Sequence, residues 1–165
     1  MNREKTQPAY VGNVKYLGYG FYICKGEGRL RIHPKSVQKF KDKIREITGR
    51  SNGMGIEARK TRLNQVIRGW MNYFKLADAK KLIQGLDEWI RSRIRMVTWK
   101  RWKKTRTRFE NLKRLGIKEE QAWMWANTRK GYWRTAHSPI LLIALSNERF
   151  NRVGYLSLMG CYSAK

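Results

Sequence analysis

The sequence predicts a mainly α-helical protein with a short β-hairpin at its N-terminus. Three observations carry this expectation. Apolar residues alternate with period two from Val14 to Cys24, then switch to helical spacing after His33-Pro34. The helical spacing persists through several segments separated by stretches rich in glycine and small polar residues. With 41% hydrophobic residues, seven Trp, eight Tyr and five Phe among 165 residues, there is material for a core in one domain or two small ones. The change of period divides the chain into residues 1–33, with the hairpin, and residues 34–165, with the helices.

In the first segment, Leu17, Tyr19, Phe21 and Ile23 alternate with Tyr16, Gly18, Gly20 and Tyr22, the pattern of one strand. Lys25-Gly26-Glu27-Gly28 supplies the turn, and Arg29 to Ile32 return as its partner. Gly18 and Gly20 share a face. Either a bulge forms there, or a nucleic-acid backbone approaches that face closely.

Pro34 suits the first turn of a helix on which Val37, Phe40, Ile44 and Ile47 face the core. Thr48 to Gly55 is a loop. A second helix carries Leu63, Val66, Ile67, Trp70, Tyr73 and Phe74 on one face and breaks at Ala77-Asp78, with Asp78 as N-cap of a third. In the third helix Leu82, Leu86, Trp89, Ile90 and Val97 share a face. At about 100° per residue, Arg91, Arg95, Trp99 and Trp102 fall on the other. Phe109, Leu112 and Leu115 make a short helix stopped by Gly116, and Lys118 to Thr128 make another. Ser138, as N-cap, and Pro139 open a helix to about Phe150, and Asn151 to Lys165 pack in short pieces.

Charge is the strongest compositional signal. Lys and Arg number 37 against 12 Asp and Glu, a net charge of +25. A folded domain with that excess repels itself, and the repulsion is relieved by a polyanion. Nucleic acid is the expected partner. An anionic membrane surface comes second and is not expected, because the basic helices leave no strong apolar face once the core is made, and no apolar window approaches the length of a span. Cys24 and Cys161 do not suggest a disulfide framework, and no signal peptide is evident, so a cytoplasmic location is expected.

Catalytic chemistry is poorly supported. Metal-dependent phosphoryl transfer needs clustered carboxylates, whereas the adjacent pairs Asp87-Glu88 and Glu119-Glu120 lie in helical segments where neighbours diverge. Two Cys and two His far apart do not make a zinc site. No metal or other cofactor is expected in this chain. In His137-Ser138, a helix cap explains the serine without a hydrolase. By contrast, residues 91–108 hold nine basic residues and no acidic one, interleaved with Trp99 and Trp102. Arginine forks match phosphate oxygens, and tryptophan faces stack on unpaired bases. Arg91, Arg95, Lys100, Arg101, Lys103, Lys104 and Arg106 are the candidate phosphate-binding residues. Arg129, Lys130 and Arg134 form a second basic–aromatic segment around Tyr132-Trp133. Trp99 and Trp102 suit base stacking and core packing equally, whereas Trp70 and Trp89 suit the core.

These residues resemble the group II intron-encoded reverse transcriptase/maturases. Leu63-Asn64-Gln65-Val66-Ile67-Arg68-Gly69-Trp70-Met71-Asn72-Tyr73-Phe74 is similar to the family's LNPIIRGWANYF signature at the start of the maturase-specific X domain, or thumb. Residues 86–95 resemble its LDxWIRRRLR stretch, and residues 99–104 and 127–134 continue the likeness, which spans most of 34–162. Asn2 to Thr6 resemble the late palm, and Tyr16-Leu17-Gly18-Tyr19 the FLGF strand of the primer grip, with Tyr16 where Phe is usual. The resemblance implies a palm remnant over 1–33 and a thumb/maturase domain over 34–165. It adds Lys5, Tyr16, Leu17, Gly18 and Arg68 as template–primer or RNA contacts.

The implied partners are group II intron RNA and an RNA–DNA template–primer, and the implied role is to help the intron fold for splicing. The family's Tyr-Ala-Asp-Asp loop and fingers would lie before residue 1, so Mg²⁺ is expected only in that catalytic palm and this chain is expected to be inactive alone. A cysteine- or histidine-rich endonuclease segment is not recognisable in the sequence. Two alternatives stand beside this reading. The chain could be the C-terminal half of a split RNA-directed DNA polymerase completed by a separate fingers–palm chain, or a general basic RNA chaperone.

Overall fold

The computed structural model describes residues 10–164. After a 3₁₀ turn at Val11–Asn13, the chain forms an antiparallel sheet in sequence order: β1 (Lys15–Tyr16), β2 (Tyr19–Cys24) and β3 (Glu27–Ile32). The single strand expected from Val14 to Cys24 is two strands. The reason lies in the backbone at Leu17 and Gly18, with φ of 48° and 84°, the two positive values that a two-residue type I′ hairpin requires. The second turn repeats this with Lys25 (φ 52°) and Gly26 (φ 81°), so Glu27 and Gly28 pair with Cys24 and Ile23 instead of turning. No bulge is needed at Gly18. The glycine lies against the helices, where a Cβ would come within 2.9 Å of Ser36 Oγ and 3.2 Å of Phe74.

Nine helices follow among the described residues. The long ones are α1 (Pro34–Ile47), α2 (Ile56–Phe74) and α3 (Lys80–Arg101), then α4 (Thr105–Arg114) and α5 (Glu119–Ala126). Four short ones close the chain: α6 (Tyr132–Ala136), α7 (Pro139–Ala144), α8 (Asn147–Arg152) and α9 (Leu158–Ser163). Local chemistry sets several of these ends. His33 caps α1, its Nδ1 accepting from Lys35 N at 3.1 Å, with Pro34 in the first turn. Gly116 (φ 87°) allows the turn after α4. Ser138 caps α7 as expected. Ser146 caps α8 as well, and so the helix expected from Pro139 to Phe150 is split in two.

The main core joins Ile32 of β3 to Val37, Phe40, Ile44 and Ile47 of α1, Leu63 and Ile67 of α2, and Leu158 of α9. The sheet is tied to the helices by polar contacts as well. Asp78 accepts from Tyr22 Oη (2.9 Å) and Arg29 Nη1 (3.1 Å), and its N–H donates to Leu30 O (2.8 Å). Asp78 therefore does not cap α3. Ala79 holds that position without a side-chain cap.

The largest departure from the sequence reading is in α3. Its buried residues include Ile83, Leu86, Ile90 and Ile94, together with Arg91, Ser92, Arg95, Met96, Val97 and Trp99. A helix buried on one side shows an apolar stripe, but α3 packs against α6 and α9 and is covered over most of its circumference. The second face, expected to be solvent-exposed, is internal.

Candidate nucleic-acid interface

Residues 48–55 cross beside the C-terminal end of α3 and leave a groove of about 570 Å³. Arg50, Arg59, Lys100, Arg101 and Lys103 line it, and among the described residues no carboxylate does. The loop is held in shape by Asn52, whose Nδ2 donates to Glu46 O (3.0 Å) and Ile47 O (2.9 Å). Arg59 fastens it from α2, donating to Ile47 O (3.1 Å) and Asn52 Oδ1 (2.8 Å). Burial lowers the pKa of Arg59, and the neighbouring Arg101 adds like-charge repulsion. Lys100 donates to Arg50 O and to Ser51 Oγ (3.3 Å), so it supports the wall of the groove as well as charging it.

Tyr132 extends this surface. The Arg50 guanidinium lies 5.7 Å from the centroid of the Tyr132 ring at the start of α6. Packing of α6 on α3 thus brings the 129–134 segment beside the groove. Arg129, Lys130 and Arg134 are exposed, and Lys130 lies over the Trp125 ring at 5.3 Å. Lys103 and Lys104 are exposed without an acidic partner among the described residues, whereas Arg106 is paired with Glu110 at 2.9 Å. Exposed aromatic faces occur in the expected segment 129–134 and also at Trp123, which the sequence did not mark as a binding face. Trp133 is 42% exposed beside His137, and Trp123 is 57% exposed against Phe109.

A second cleft, of about 510 Å³, lies where the Leu17-Gly18 turn meets α1 and α2. Lys15, Lys39 and Lys43 supply charge, and Phe40, Trp70 and Tyr73 supply aromatic wall. The turn is anchored from both helices. Tyr73 Oη donates to Leu17 O (2.7 Å), Tyr19 Oη donates to Tyr73 O, and Ser36 Oγ donates to Gly18 O (2.9 Å). These bonds hold Leu17 in a left-handed conformation that costs a non-glycine residue about 1–2 kcal/mol. Tyr16 and Leu17 remain exposed beside it, and Arg68 is exposed on α2.

The structure thus brings together Lys100, Arg101 and Lys103 with Arg129, Lys130 and Arg134, and places Tyr16, Leu17 and Gly18 at a separate cleft. Lys5 lies outside the described residues. Three candidates lie elsewhere than expected: Arg91 (1% exposed), Arg95 (4%) and Trp99 (1%) are internal. Trp99 meets Trp102 edge-on at 5.7 Å, with Arg108 at 4.8 Å over its ring, so it is core, and Trp102 is half-buried against it. The sequence misses Arg50 and Arg59, because a lone arginine in or after a glycine-rich loop carries no periodic signal.

The buried row on α3 has a structural task. Asp87, Arg91 and Arg95 are four residues apart and therefore stacked on one face. Asp87 accepts from Leu158 N (2.6 Å) and Ser157 Oγ (3.2 Å), fixing the start of α9. Arg91 donates to Asn151 Oδ1 (2.8 Å) at the end of α8. Arg95 donates to Leu145 O (3.0 Å) and Asn147 Oδ1 (3.0 Å) between α7 and α8. Both guanidiniums also sit over the Phe150 ring, at 5.6 and 5.5 Å. Desolvation lowers the pKa of both arginines, and the Asp87 charge partly offsets this for Arg91. Arginine nevertheless keeps its proton.

Among the described residues no group of three or more His, Cys, Asp or Glu is placed to hold a metal ion, and no helix is long and apolar enough to cross a membrane. The fold and its surfaces define a class: a strongly basic, mainly helical domain with an N-terminal β-meander and a carboxylate-free cationic groove. Residues 37–116, from the first turn of α1 to the glycine after α4, match the family model of the group II intron, maturase-specific domain. That match suggests a role in group II intron splicing and implies group II intron RNA as a partner. No curated protein matches the chain.

Proposed function

We propose that this chain binds group II intron RNA directly through the groove formed by loop 48–55 and the end of α3, and through the adjoining segment 129–134. The observation that carries this reading is the groove itself, lined by five cationic side chains and no carboxylate, in a chain of net charge +25. Lys and Arg there neutralise closely spaced RNA phosphates and release counterions, which favours compact over extended RNA. Shape and unpaired bases supply the selectivity, with Trp133, exposed within the basic segment 129–134, as a stacking face. The cleft at Leu17-Gly18 supports a second task, holding an RNA–DNA template–primer when the chain works as the thumb of a reverse transcriptase. Its lysines suit a phosphate backbone, and its aromatic wall suits a sugar or base. Any two-metal polymerisation chemistry, with its Mg²⁺, would reside in a fingers–palm unit, whether part of the same protein or a separate chain.

The test is binding to a structured group II intron RNA across a salt series, compared with an unrelated RNA of equal length and with duplex DNA. The intron should be preferred by roughly tenfold or more, about 1.4 kcal/mol, and the preference should persist as salt rises. Replacing Arg50, Arg101, Lys103 and Lys104 together by Ala should reduce the slope of log K against log salt by about 3. Equal affinities falling together with salt would reduce the chain to a general basic RNA chaperone. An unchanged slope would remove the groove from the interface. Primer extension after adding a fingers–palm chain, lost on disturbing the Leu17-Gly18 turn, would establish the polymerase task.

A further inference from the structure

We infer that the cleft between α3 and α7 is a binding site for a phosphate group, with Arg91 as its anchoring donor. The cleft has a volume of about 450 Å³, in the range of small-ligand sites, which is room for a nucleotide. Arg91, Ser92 and Arg95 line it, all nine-tenths or more buried, while Gly85, His137 and Leu142 border it as exposed residues. Charge in its lining is unbalanced. Two buried guanidiniums and one exposed carboxylate, Glu88, line it, while Asp87, outside the lining, is 3.8 Å from Arg91 Nε and already accepts from Leu158 N and Ser157 Oγ. Among the described residues, Arg91 Nε and Nη1 are buried with no acceptor at hydrogen-bond distance, the Asp87 carboxylate lying at ion-pair range of Nε. An arginine cannot relieve this by losing its proton, whereas an incoming anion would supply the missing acceptor. A phosphate oxygen fits best, because guanidinium forks pair with phosphate through parallel, charge-assisted hydrogen bonds. Glu88 also lines the cleft, but it is exposed and accepts from Gln84 Nε2 at 3.2 Å. The aromatic rings of Trp89 and His137 in the lining suit a nucleotide better than a bare ion. The inference stands on this geometry and does not depend on the groove.

The experiment titrates the whole chain with inorganic phosphate, against chloride at equal ionic strength, following the thermal midpoint and the heat of binding. Two variants fill the cleft while sparing the arginines. Gly85→Trp adds a side chain where a Cβ meets nothing within 4 Å, and Leu142→Trp enlarges the opposite side. Wild type should bind phosphate saturably, and either folded variant should bind it at least roughly tenfold more weakly, the worth of a charged hydrogen bond. The groove variant described above should keep the phosphate response. Adenosine monophosphate and a short single-stranded RNA without terminal phosphates separate the sources. Weaker RNA binding by Gly85→Trp, with phosphate competing in wild type, assigns the site to an RNA phosphodiester. Monophosphate binding without effect on RNA assigns it to a free nucleotide. Equal effects of phosphate and chloride, or undiminished phosphate binding in both folded variants, would overturn the inference.

Discussion

Replacing Asp87 by Ala should unfasten the C-terminal helices from α3, and the size of the effect follows from its contacts. The carboxylate is 13% exposed, and it holds Leu158 N at 2.6 Å and Ser157 Oγ at 3.2 Å. Each is a hydrogen bond to a charged group, worth about 1.5–3 kcal/mol. Removing the same carboxylate leaves Arg91, 1% exposed, without the negative charge beside it, and breaking such a buried pair costs about 3–5 kcal/mol. The two estimates describe one group and overlap, so about 3 kcal/mol is expected, a large share of the roughly 5–15 kcal/mol that holds a domain together. For a domain of this size that corresponds to about 6–12 °C in thermal midpoint. Urea denaturation measures the loss, and hydrogen exchange at Leu158 shows whether α9 opens first. The decisive arm is the double variant Asp87→Ala/Arg91→Met. It should be at least as stable as Asp87→Ala alone, since it removes the stranded charge. A loss below about 1 kcal/mol for Asp87→Ala, or simple additivity in the double variant, would refute the clamp.

Gly18→Ala should cost about 2 kcal/mol in urea denaturation, because alanine is strained at φ 84° and its Cβ would press on Ser36 Oγ and Phe74. The pH dependence of the α1 cap has a defined sign. Desolvation, with the charges of Lys15, Lys35 and Arg31, lowers the pKa of His33 below its unfolded value, and Nδ1 must be unprotonated to accept from Lys35 N. The cap's contribution is therefore complete above about pH 6.5 and is lost as pH falls through the lowered folded pKa. Between about pH 7.5 and 5.5 the wild-type midpoint should drop more than that of His33→Asn, whose side chain caps at both values. Trp133→Ala should weaken RNA binding roughly five- to a hundredfold, as expected for one stacked base, and change stability little because the ring is 42% exposed. Equal RNA affinity with and without the ring would remove it from the interface.

Much of the architecture was legible in the sequence because period and punctuation are local. The buried set Val37, Phe40, Ile44 and Ile47 in α1, the stop at Gly116 and the cap at Ser138 follow from residues within one or two turns. The net charge and the run of cations from 91 to 108 made nucleic acid the expected partner, and the chain's own motifs pointed to the maturase-specific domain that residues 37–116 match. What failed was the assignment of faces on α3. Arg91 and Arg95 looked like a surface because arginine is seldom buried. Whether a helix has one covered face or several depends on what packs around it, and α6 to α9 lie more than thirty residues further along the chain. The carbonyls and amides between α7 and α9 need partners, and the α3 arginines and Asp87 supply several. By itself, then, the sequence determined the helical class, the hairpin, the charge and the kinship, all properties of composition or of short windows. Only the tertiary structure decided which cations stay in water: Arg50, Lys100, Arg101 and Lys103 converge on a groove, while Arg91 and Arg95 of the same run are withdrawn from solvent. Exposure is a property of neighbours distant in sequence, and no local pattern encodes it.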